Sequence, residues 1–124
     1  MSPCPRRVAL ALVAAVAGCA QAPLTLDEPH AVSAMPLTPY EARDECVKLA
    51  AGERLEYRFE ASEPVMFEIR YREGLAVIAP LTREASRSDA GTFAAALPRD
   101  YCLVWEAGAA GALVDYRLRK RRAP

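Results

Sequence analysis

The chain has 124 residues, with 16 basic and 16 acidic side chains and a single histidine. That balance excludes a general nucleic-acid binder, which needs a strongly basic face. One histidine also leaves little room for imidazole catalysis or a histidine-based metal cluster.

Arg6 and Arg7 precede an apolar run from Val8 to Val16, and small residues then lead into Cys19. The run is shorter than the roughly 20 apolar residues of a membrane-spanning helix, so residues 1–18 read as a cleaved export signal. Val16-Ala17-Gly18-Cys19 resembles the lipobox of bacterial lipoproteins, whose cysteine thiol receives a diacylglycerol before cleavage. The resemblance implies a lipid anchor at Cys19, the bilayer as a partner and a place in the cell envelope. Ala20, where an aspartate would favour retention at the inner membrane, implies the outer membrane with the domain facing the periplasm. Loss of Arg6 and Arg7 with the signal leaves 14 basic residues against 16 acidic ones.

Residues 19–39 read as the lipidated cysteine and a flexible tether. Pro23, Pro29, Pro36 and Pro39 punctuate it without a period of 2 or 3.6, and such a segment spaces a domain from a membrane. His30 falls inside it. Residues 40–124 then form the folded domain, about 80–85 residues around one modest core.

A first strand is expected around Asp44–Leu49. Residues 54–61 alternate strictly, with Leu55, Tyr57, Phe59 and Ala61 on one face and Arg54, Glu56, Arg58 and Glu60 on the other. Residues 65–72 repeat the pattern with Val65, Phe67, Ile69 and Tyr71 inward, so both read as half-buried antiparallel strands. Ser62-Glu63-Pro64 is expected to join them as a tight hairpin. The run from Leu75 to Leu81 is an apolar strand that Pro80 assigns to a sheet edge. Residues 82–90 are expected as a polar, mobile loop. Residues 91–97, Tyr101–Glu106 and Ala112–Arg119 supply the remaining strands, the last pair joined by a turn at Gly108–Gly111. The pattern predicts an all-β fold, a single antiparallel β-sandwich of about seven strands.

Cys4 leaves with the signal and Cys19 carries lipid, so Cys46 and Cys102 remain as an even pair in an oxidising compartment. A disulfide stapling the sandwich is the default reading. Two reactive thiols are the alternative, and they would want a nearby histidine or a Cys-x-x-Cys pair, which the sequence does not offer.

Gly91-x-Phe93, Tyr101-Cys102-Leu103-Val104-Trp105 and the closing Val114-x-Tyr116-x-Leu118 resemble the Golgi-dynamics (GOLD) domain, a small β-sandwich, over residues 44–119. The resemblance implies a bridge between Cys46 and Cys102 and non-catalytic, protein-contacting work. The second cysteine follows the tyrosine directly here, whereas the family usually places it three residues on. A displacement of two positions keeps the same strand face. The bacterial pre-peptidase-type sandwich is the nearest alternative.

No nucleophile–base constellation stands out: Ser62, Ser86 and Ser88 lack a nucleophile elbow, and Glu56, Glu60 and Glu68 alternate outward beside arginines. The expectation is no catalytic residue, no metal and no cofactor. Two surfaces are candidates for binding. If Cys102 and Val104 point inward, Tyr101, Leu103 and Trp105 share the opposite face and form a partner site when exposed; when covered, they make this strand a central one. Arg117, Arg119, Lys120, Arg121 and Arg122 form a basic end suited to an anionic surface near the anchor, or to a charged edge strand that discourages aggregation. The functional expectation is a membrane-anchored, non-catalytic module contacting an envelope protein or glycan. Its alternative is an anchored inhibitor of an envelope-attacking enzyme such as lysozyme, reaching the enzyme's cleft from residues 82–90.

Overall fold

The computed structural model describes residues 21–122; the signal residues and Cys19 lie outside them. Six strands follow in chain order: β1 (His30–Leu37), β2 (Ala42–Leu49), β3 (Arg54–Glu73), β4 (Ala76–Ala94), β5 (Arg99–Ala107) and β6 (Ala112–Arg121). All pairings between them are antiparallel, along the path β1-β6-β3-β5-β2, with β4 beside β3. The fold is all-β, and its strands belong to one continuous curled sheet rather than to two separate ones.

The length of β3 explains the curl. Its first stretch, Arg54–Ala61, pairs with β6; its second, Val65–Arg70, pairs with β5. β4 runs beside both stretches. The expected hairpin at Ser62-Glu63-Pro64 is therefore absent, and two expected strands are one. Inward residues keep odd numbers on both sides of that segment, so the chain passes through it with its apolar face unchanged. The ladder with β4 breaks between Glu60 and Val65, which accommodates Pro64 without a lost partner for its missing N–H. At the next register shift, between Val65 and Phe67, Ala85 of β4 takes a left-handed φ of 47°, and such bulges sharpen the local bend.

Residues 82–90 are a strand rather than a loop. They lie inside β4, which pairs only with β3, so Pro80 does sit on an edge strand. Exposure on an outer strand accounts for their polar character.

The expected tether is corrected too. Leu24 bridges Val47 in parallel, Leu26, Met35 and Leu37 are buried, and β1 pairs with β6. The folded unit thus begins at Leu24 rather than residue 40. Only two buried side chains in β1, and a bulge between Val32 and Met35, broke the alternation that would have marked it as a strand.

The curl brings aromatic side chains from different parts of the sheet into contact. Phe59 and Phe67, on the two stretches of β3, have ring centroids 4.8 Å apart. Phe67 lies 5.6 Å from Trp105 of β5, and Trp105 stacks on Tyr116 of β6 at 4.4 Å. Burial of one such side chain contributes about 1.5–3 kcal/mol. The Cys46–Cys102 disulfide joins β2 to β5 at directly paired positions.

Candidate functional site

Tyr101, Leu103 and Trp105 are 2%, 0% and 1% exposed, so the expected partner surface is core instead. β5 is central, between β3 and β2. The faces are the reverse of the arrangement that would have exposed them: the aromatic face points inward, and half-buried Cys46 and Cys102 lie on the outer face. Three large side chains remove far more apolar area from water than a disulfide does, and that term decides the orientation. Asp44 approaches the two cysteine sulfurs. Those sulfurs are bonded to each other, so the trio has no thiolate to offer a metal.

His30 belongs to the fold rather than to a tether. Its Nε2 meets Glu45 Oε1 at 3.1 Å, and its ring lies 6.1 Å from that of Tyr116. Burial pushes the Glu45 carboxyl above its usual range, with the His30 contact opposing that shift. Burial, then the Glu45 charge, pushes the Tyr116 phenol up to about 12. A histidine held by a carboxylate is half of a nucleophile-activating arrangement. Among the described residues no serine or threonine hydroxyl is bonded to it; Ser62 Oγ instead accepts the Leu113 N–H at 2.8 Å.

The basic residues are spread along a strand between β1 and β3, not along an edge. Arg117 and Arg119 project outward opposite Arg58 and Glu56 of β3. Arg121 pairs with Glu56, and Lys120 with Glu53 at 3.6 Å. Arg122 is exposed just past β6. The expected cluster therefore divides: Arg117 and Arg119 cover one face, and Lys120, Arg121 and Arg122 gather at one end.

Sequence reasoning missed the other end. The β1–β2 turn (residues 38–41) packs on the β5–β6 turn (residues 108–111): the Tyr40 N–H donates to Gly108 O at 3.1 Å, and the Ala107 N–H to Glu41 O at 2.9 Å. Tyr40 is 70% exposed with a left-handed φ of 61°. A bulky residue seldom adopts that conformation, so the two interlocked turns hold an aromatic side chain out into solvent. Gly111 makes the packing close, because a Cβ there would lie 2.7 Å from Leu37 O. Pro39-Tyr40 straddles the expected boundary between tether and domain, and no pattern in the sequence marked it.

No protein-family profile and no curated relative matches the chain. Solved structures do resemble it. PliG of Aeromonas hydrophila, a periplasmic lysozyme inhibitor of g-type lysozyme, is similar with a TM-score of 0.60 and 10% identity. The match covers 75% of this chain and 86% of that one. At that identity the likeness is one of fold.

Proposed function

We propose that this protein is a lipid-anchored, non-catalytic envelope protein that binds another protein, and that its target is a lysozyme-class enzyme. The observation that carries the reading is the fold shared with a lysozyme inhibitor across most of both chains. Three features support it. The aromatic side chains that could have lined a ligand cleft are spent on the core. The largest exposed aromatic, Tyr40, stands on rigidly paired turns, and a tyrosine presented without ordering cost suits protein recognition. The export signal and lipobox-like Cys19 would hold the protein in the compartment a lysozyme attacks. With residues 82–90 inside β4, the contact assigned to them passes to the Tyr40 turn.

The test is a cell-wall clearing assay with purified protein and lysozymes of the g, c and i types. Stoichiometric slowing of one type, lost in Tyr40→Ala, supports the reading. Unchanged clearing of all three at large molar excess overturns it. Detergent-phase partitioning of the wild-type protein and Cys19→Ala tests the anchor separately.

A further inference from the structure

The end of the molecule remote from Tyr40 has its own composition. The chain enters the fold there: Leu24 receives the Lys48 N–H at 2.8 Å, near the end of β2. The last residues of β6 finish beside it, since Arg121 is paired in register with Arg54. The β3–β4 hairpin tip reaches the same end, where Arg99 approaches Glu73 at 3.9 Å. Thr25, Lys48, Glu53, Pro98, Asp100 and Lys120 share the walls of one open groove of about 460 Å³, whose mixed charge leaves the excess of positive charge at this end to the arginines around it. Leu75, at the hairpin tip, is 102% exposed, and Leu97, between β4 and β5, is 50% exposed. Arg54, Arg72 and Arg122 are exposed at this end and make no ion pair among the described residues.

We propose that this end seats on the anionic phospholipid headgroups of the bilayer that holds Cys19. The inference rests on the lipid-anchor reading. Four residues lie between Cys19 and Leu24, and those five Cα steps reach about 18 Å at full extension, so an anchored chain keeps this end at the surface. Apolar tips enter the headgroup layer while the surrounding arginines meet lipid phosphates. The groove end then faces the membrane and Tyr40 faces away from it, toward an incoming enzyme.

The experiment uses the processed protein, its acyl group first checked by mass spectrometry, in vesicles of phosphatidylglycerol and phosphatidylethanolamine. Nitroxides are placed at Leu75→Cys and, separately, Tyr40→Cys. The expected result is several-fold lower collision of the position-75 label with an aqueous relaxer than of the position-40 label. Equal aqueous access at both positions overturns the proposal while leaving the anchor standing. A second arm uses an acyl-free chain starting at Ala20, which retains every buried residue from Leu26 to Leu118. It should sediment with phosphatidylglycerol vesicles and not with phosphatidylcholine vesicles, and Leu75→Ser with Arg122→Ser should weaken this several-fold. Binding here without an acyl group on the processed protein refutes the anchor and supports the seat. Equal sedimentation with both lipids, or with neither, refutes the seat.

Discussion

The His30 imidazole and the Glu45 carboxylate meet at 3.1 Å across the opening of the curled sheet. β1 and β2 are the two ends of the strand path, so this one contact links edges that share no backbone ladder. Both side chains are mostly covered, at 24% and 18% exposure, which makes the pair more than a surface decoration.

The first prediction concerns pH. Burial raises the Glu45 carboxyl above 4.5, so the folded protein binds that proton more tightly than the unfolded chain. The resulting stabilisation is complete below about 4.5 and is lost as pH rises through the raised folded-state value. Thermal melts of the wild type should therefore fall relative to Glu45→Gln as pH climbs from 4.5 toward neutrality. Parallel curves over that range would show that burial does not govern this carboxyl.

The disulfide supports the second. Cys46 and Cys102 are separated by 56 positions, and closing a loop of that size removes about 4 kcal/mol of unfolded-state entropy. Cys46→Ala with Cys102→Ala should lower the unfolding free energy by about that amount in denaturant titrations. Non-reducing mass spectrometry should find the two cysteines joined, and a pair of alkylatable thiols would refute the bridge.

The third concerns a close approach in the long hairpin. Gly91 lies opposite Tyr57, and a Cβ there would sit 2.9 Å from the Tyr57 hydroxyl. That hydroxyl donates to Asp89 at 3.0 Å. Gly91→Ala must push the ring aside and lose the bond, a cost of about 1–3 kcal/mol. Gly108→Ala, where the new methyl meets nothing within 4 Å, is the control. Equal melting of the two variants would mean that the hairpin absorbs the methyl freely.

Much of this fold was legible because alternation survives wherever one strand face is buried. Leu55, Tyr57 and Phe59, Val65, Phe67 and Ile69, and Val114, Tyr116 and Leu118 are all inward as their spacing requires. What period 2 cannot report is connectivity. An alternation that stays in phase across Ser62–Pro64 fits a hairpin and a bent single strand equally, and only the pairing of β4 along both stretches of β3 decides. Edge strands were harder still. With one neighbour each, β1 and β4 bury few side chains, so prolines and serines there mimic a linker and a loop. The orientation of Trp105 was within reach, because Tyr, Leu and Trp on one face outweigh Cys and Val on the other. Tyr40 was not, since its significance comes from a turn that only the packing of Gly108–Gly111 creates.

That dependence yields the last prediction. Tyr40 is 70% exposed, so Tyr40→Ala should leave the melting temperature nearly unchanged, as surface substitutions usually do. Gly111→Ala differs in kind. Its φ of 66° disfavours any side chain, and its Cβ would strike the backbone oxygen of Leu37 at 2.7 Å. Strain and overlap of this sort cost about 1–3 kcal/mol and must part the two turns that position Tyr40. Under the inhibitor reading, both variants lose lysozyme inhibition, but only Gly111→Ala also loses stability. Calorimetry beside the clearing assay separates the two losses. Full inhibition by Tyr40→Ala would move the contact off this turn, whatever Gly111→Ala does to the fold.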